Sequence, residues 1–204
     1  MNGKQEMGTI IFVNNRMCVE CISFCTKMCH NVRKRIGRKE IDNMNKIYDK
    51  VKECYKQVNE MTEFKPQIAL VLGSGLGDYA EKIKIETVID YHEIKGFPVS
   101  TVQGHKGRFV LGYVEDIPVM IMEGRVHYYE GYSMSDVVLP IRLMKMMGAE
   151  ILFLTNASGG IHRGFEAGDF MMITDQIASF VPSPLMGPNI EEFGERFPDM
   201  SHIY

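Results

Sequence analysis

A chain of 204 residues, 45% hydrophobic and 24% charged, falls in the globular range and is long enough to bury one sizeable core. The net charge of -3 argues against nucleic acid or an anionic membrane as the main partner. No run of 18 apolar residues exists, so no spanning helix is expected, and the start lacks the ordered pattern of a signal peptide, which makes the cytoplasm the expected compartment.

In chain order, residues 1–40 stand apart. They hold eight Lys/Arg against three Asp/Glu, a charge of +5, while the remainder carries -8. Four of the five cysteines, Cys18, Cys21, Cys25 and Cys29, fall here, followed by His30. Thiolates and an imidazole at that density suit zinc or an iron–sulfur centre. Against that, the spacing is close to helical, and no Gly or Pro bends the chain between ligand pairs. The expectation is a basic, Cys-rich leader, poorly ordered and without metal. Residues 41–204 then form the folded domain.

Ile41, Met44, Ile47, Val51, Cys54, Tyr55, Val58 and Met61 recur at three- and four-residue steps, which predicts an amphipathic helix over 41–61. Cys54 lies on the stripe and is expected to be packed rather than reactive. Ile68–Leu72 is an apolar run of buried-strand type, followed at once by Gly73-Ser-Gly-Leu-Gly77. A turn at Gly104-His-Lys-Gly107 precedes a strand at Phe109–Leu111, and Pro118–Met122 is another strand, ending at Glu123-Gly-Arg125. Residues 135–147 read as a helix closed by Gly148, Ile151–Thr155 as a third buried strand ending at Asn156-Ala-Ser-Gly-Gly160, and Phe170–Ile173 as a fourth. The Pro-rich stretch 182–190 is a loop. Strands alternating with helices, each strand handing over to a Gly-rich turn, indicate an α/β sheet. In such sheets, ligands bind at the carboxyl ends of the strands. Three loops fit that place: 73–77, 123–132 and 156–160.

The glycines of 73–77 allow close backbone approach to a phosphate, and Ser74 adds a hydroxyl beside exposed amides. The spacing is not that of a dinucleotide fingerprint, and the Lys of a P-loop is absent. Arg125, just past a strand end, can grip phosphate with two parallel hydrogen bonds. His105, between glycines, and His127, in an Arg-x-His-Tyr-Tyr-Glu run, are the other polar candidates. Ser158 mimics part of a hydrolase elbow but lacks the G-x-S-x-G frame, and no nucleophilic triad or metal spacing is present. A phosphate grip without an attacking side chain suggests that phosphate itself is the nucleophile or a product.

Taken together, Leu72–Gly77, Gly104–Gly107, Met122–Tyr132, Thr155–Gly160 and Gly187-Pro-Asn189 with Arg196-Phe-Pro198 stand in the order and spacing of the trimeric, low-molecular-mass purine nucleoside phosphorylases. The resemblance runs from about residue 41 to Tyr204. It implies a twisted mixed β-sheet flanked by helices, incomplete at the C-terminus, because the family's base-reading residues would lie beyond Tyr204. It implies phosphate binding by Ser74, His105, Arg125, Ser158 and the Ala157 amide. His127, Tyr129, Glu130, Asn156 and Ala157 would handle ribose and nucleoside, and Phe197 would reach a neighbouring subunit of a homotrimer. The implied reaction is phosphorolysis of purine (deoxy)ribonucleosides such as inosine and guanosine to free base and (deoxy)ribose 1-phosphate. It needs no metal or organic cofactor, phosphate being a co-substrate. Partners are expected to be the nucleoside and phosphate, with neither nucleic acid nor membrane. Two alternatives stand beside it: a catalytically inactive fragment that retains phosphate binding or oligomer contacts, and a 5′-methylthioadenosine phosphorylase, whose Ser-Asn-Ala run differs from Thr155-Asn156-Ala157.

Overall fold

The computed structural model describes residues 7–13, 33–101, 106–177 and 180–199. Their centre is a seven-stranded mixed sheet. In chain order the elements are β1 (Met7–Val13), α1 (Arg33–Met61), β2 (Ile68–Leu72), β3 (Lys84–Asp90), β4 (Arg108–Val114), β5 (Ile117–Glu123), α2 (Met134–Met146), β6 (Ile151–Ser158) and β7 (Phe170–Met172). Across the sheet the order is β3-β4-β5-β2-β6-β1-β7. β2 runs parallel to both β5 and β6, and the hairpin pair β4–β5 and the β3–β4 pair are antiparallel.

The near-continuous apolar runs arise because the central strands are covered on both faces. Successive side chains point to opposite sides. Ala69, Val71, Phe109, Leu111, Met120 and Met122 therefore enter one core, while Leu72, Val110, Val119 and Ile121 enter another. Val51, Cys54 and Val58 of α1 and Leu139, Leu143 and Met144 of α2 fill the first core. Val51, Cys54 and Val58 are the middle of the helical stripe read from the sequence, whose last member, Met61, is instead exposed, and Cys54 is packed, its thiol pushed up chiefly by burial. Lys50 ties α1 to the first turn of α2 through a 2.7 Å ion pair with Asp136. Tyr91, Phe97 and Phe109 form an aromatic cluster with ring centroids 4.8–5.4 Å apart.

The structure departs from the sequence reading in three places. α1 begins at Arg33 rather than Ile41. Residues 7–13, expected within the poorly ordered leader, form β1, which lies antiparallel to β6 and parallel to β7. Its Thr-Ile-Ile-Phe-Val run has the β-branched and aromatic composition of a strand, which the neighbouring cysteines and arginines overshadowed. β3 was not expected at all. It carries an irregularity between Ile85 and Thr87 opposite Gly112, where a Cβ would come within 2.3 Å of the Lys84 carbonyl oxygen. The Cys18–His30 cluster lies outside the described residues. Among the described residues no group of His, Cys, Asp or Glu side chains could hold a metal ion, and no helix is long and apolar enough to cross a membrane.

Candidate active site

Parallel neighbours β5, β2 and β6 end on the same edge of the sheet, so the loops that follow them meet. The Gly loop is held to β6 by Thr155. Its hydroxyl accepts from the Gly73 amide at 2.8 Å and donates to the Val71 carbonyl at 2.9 Å. The approach is so close that a Cβ on Gly73 would meet Asn156 Cα and the Thr155 oxygen at 2.7 Å each. Only glycine fits there. Ser74 follows in the turn and is exposed.

Arg125 leaves β5 and reaches the same strand, donating from Nη1 to the Thr155 carbonyl at 2.8 Å. Burial draws its pKa below the ordinary value, yet a guanidinium keeps its charge at any working pH. A half-buried cation is thereby fixed beside the Gly loop. The Thr155 carbonyl points toward Arg125, and backbone groups alternate along a strand. The Ala157 amide therefore faces the same way as the Thr155 carbonyl, and residues 152–158 of β6 run antiparallel along β1. The ladder with β2 ends at Val71–Leu154, so it does not extend to Ala157.

The next turn builds a second, tighter unit. Glu130 accepts from the His127 amide at 2.7 Å and lies 2.9 Å from His127 Nδ1. It also accepts from the Thr101 amide at 2.7 Å, the Thr101 hydroxyl at 3.0 Å and the Ser100 hydroxyl at 3.2 Å. Burial raises the Glu130 pKa, but the Thr101 amide, the His127 ring, the Thr101 hydroxyl and the His127 amide together outweigh it, bringing it to about 2. Glu130 is thus a fixed anion. With Nδ1 donating to Glu130, His127 Nε2 is left as acceptor toward Arg125 Nε, 3.4 Å away. Tyr129 stacks on His127 with centroids 4.8 Å apart and is itself 73% exposed, open to a ligand.

Of the residues expected from the sequence, the structure gathers Arg125, His127, Tyr129 and Glu130 into one connected cluster, with Arg125 joined to the strand that carries Asn156, Ala157 and Ser158. Asn156 Nδ2 donates within that strand, to the Ala157 carbonyl at 3.4 Å. His105 lies outside the described residues. Phe197 stands on the exposed tail, with the Arg196 guanidinium 5.8 Å over its ring. Sequence reasoning missed Ser100, Thr101 and Thr155 as parts of this architecture. Thr155 was legible as the residue closing a strand before a Gly-rich turn; Ser100 and Thr101 carried no local signal.

Three comparisons bear on this arrangement. The family model described as "Phosphorylase superfamily" matches residues 67–204. The chain is 47% identical over 156 residues to purine nucleoside phosphorylase 1 of Bacillus subtilis, covering 76% of this chain and 58% of that protein. Against the purine nucleoside phosphorylase of Mus musculus it is 46% identical over 160 residues, covering 77% and 55%. The solved structure of the Schistosoma mansoni purine nucleoside phosphorylase with hypoxanthine superposes with a TM-score of 0.68 at 38% identity, over 76% of this chain and 55% of that one. The chain thus spans somewhat more than half the length of these relatives, and over that span its mixed sheet is the nucleoside phosphorylase fold. With its family model covering the strands and loops that build the site, this chain belongs to the phosphorylase superfamily, and its relatives there are purine nucleoside phosphorylases.

Proposed function

We propose that the chain carries the phosphate- and ribose-handling part of a purine nucleoside phosphorylase, catalysing reversible phosphorolysis of nucleosides such as inosine and guanosine. The observation that carries this reading is Arg125, held on Thr155 at 2.8 Å between the Gly loop and the Ala157 end of β6, with the His127–Glu130 pair beside it. In the reaction a phosphate oxygen bonds to C1′ of the sugar as the bond from C1′ to the base nitrogen breaks. The bonding electrons leave with the base, which takes up a proton, and the sugar departs as ribose 1-phosphate. Arg125, Ser74, Ser158 and the Ala157 amide hold phosphate in line, with His105 contributing from its Gly-bounded loop. The negative phosphate stabilises the positive charge that grows on the ribose, so the protein's work is orientation and electrostatics. Tyr129 and His127 face the ribose, Asn156 and Ala157 line the nucleoside, and Glu130 fixes His127. Phosphate is consumed as a substrate.

On this reading residues 41–204 form the phosphorylase domain, to whose sheet Met7–Val13 adds a strand, the compartment is the cytoplasm, and Phe197 serves a neighbouring copy in a homotrimer. A second reading is phosphate binding without turnover. Release of hypoxanthine from inosine by the 204-residue chain separates the two. Turnover that requires phosphate and falls about 100-fold or more in Arg125→Ala supports the enzyme. Phosphate binding without turnover supports the second reading, and neither activity nor phosphate binding refutes both.

A further inference from the structure

Behind the proposed ligands lies a cluster of four charged side chains that the reaction does not use. Glu123, the last residue of β5, is 3% exposed. Its Oε2 accepts from Arg108 Nε at 2.7 Å, and Lys106 Nζ lies 3.0 Å from Oε1 as an ion pair without hydrogen-bond alignment. Lys106 also pairs with Glu81 at 2.5 Å, and Arg108 Nη2 comes within 3.7 Å of the same carboxylate. The Glu123 pairing is obligatory in physical terms, since a buried carboxylate is tolerated only when paired.

The cluster's members adjoin two of the loops that would hold phosphate, the Gly loop and the turn after β5, and join them to the start of β4. Glu81 ends the short helix that starts at Gly77, the last glycine of the Gly loop, and Glu123 Oε1 packs 3.5 Å from where a Gly77 Cβ would lie. Lys106 and Arg108 flank Gly107 at the start of β4. Glu123 is followed by Gly124 and then Arg125. Main-chain bonds run in the same sense: the Gly107 amide donates to the Glu123 carbonyl at 3.0 Å, and the Tyr91 hydroxyl donates to the Gly124 carbonyl at 2.8 Å. With two cations and two anions, the cluster is neutral and keeps Lys106 and Arg108 engaged.

We propose that Glu123 is a positioning residue for phosphate: through Lys106, Arg108 and Glu81 it sets the spacing of the Gly loop, the start of β4 and the Arg125 strand end. This rests on the reading that the site binds phosphate. The test is calorimetric titration of inorganic phosphate into the 204-residue chain and into Glu123→Gln, Glu81→Gln, the double variant and Arg125→Ala, with melting temperatures alongside. Both glutamines remove negative charge, so simple long-range attraction would tighten phosphate binding. Positioning demands the opposite sign: about tenfold weaker binding in Glu123→Gln and about threefold weaker in Glu81→Gln. The double variant should lose less than the product of the two, because both act on one cluster. Tighter or unchanged binding in Glu123→Gln, or a lowered melting temperature with unchanged affinity, overturns the proposal. If Glu123→Gln does not fold, unchanged or tighter binding in Glu81→Gln, whose carboxylate is 59% exposed, overturns it instead. If the unaltered chain binds no phosphate, or Arg125→Ala binds as well as it, the underlying reading fails; if only the glutamine variants bind normally, this inference alone fails.

Discussion

The strands β2, β4 and β5 and the stretch after β6 are built from similar apolar residues and end up in opposite states. Phe109, Val110, Leu111, Met120 and Ile121 are fully buried, covered by α1 and α2 on one face and by Leu76, Ala80 and Ile83 on the other. Beyond Ser158, Ile161, Ile177 and Phe180 are each more than nine-tenths exposed, and β7 leaves Phe170 and Met172 largely uncovered. Strand pattern alone does not distinguish these regions; what does is the presence of a second layer. The difference divides the site. Arg125, Glu123 and the Gly loop rest on the closed region, while Asn156–Ser158 sit where β6 passes from the closed region to the open one.

The largest expected effect lies in the closed region. Leu143→Ala, at a fully buried position in α2, should cost about 2–5 kcal/mol in denaturant unfolding. A loss under about 1 kcal/mol would show that this core is not closed. Next, Gly73→Ala forces the Gly loop away from Thr155 and Asn156 backbone at the boundary between the regions. It should cost about 1–3 kcal/mol and weaken phosphate binding with it, whereas an unaffected variant would mean that the loop does not lie against β6. A pH series sharpens the boundary further. The Glu130 pKa is depressed from its ordinary 4.5 to about 2. Its contribution to stability is therefore fully present above about 4.5 and is lost as pH falls toward 2. Glu130→Gln should flatten the fall of melting temperature across that acid window, and a parallel curve would remove Glu130 as the anchor of His127. Smallest of all, Ile161→Ser should change stability by less than about 0.5 kcal/mol; a large loss would show that the open region is covered in solution.

Much of the closed region was legible. Ile68–Leu72 running into Gly73–Gly77 announced a buried strand with a glycine-rich turn, and α2 was read to within a residue at each end. β3 was illegible for a physical reason. Its irregularity breaks the two-residue alternation, and Ile85 and Val88 are both more than 40% exposed, so no apolar pattern survives. At the site, Arg125 and His127 were visible from their place after a strand. The Glu123 cluster was not, because a buried carboxylate looks like any other glutamate until its partners, at Arg108 and Lys106 across the sheet, are brought to it. Ser100 and Thr101 escaped likewise, since their role exists only once Glu130, roughly thirty residues on, folds back to meet them.

The proposed phosphate grip is anchored on the closed region and independent of the open one, and amide hydrogen exchange of the 204-residue chain, with and without inorganic phosphate, reads both halves of that statement. Slow exchange is expected through β2, β4 and β5, fast exchange over 161–177 and 180–187, and added protection with phosphate confined to 73–77, 124–130 and 155–158. Phosphate-induced protection spread over 161–177 and 180–187, or none at 73–77, would contradict it.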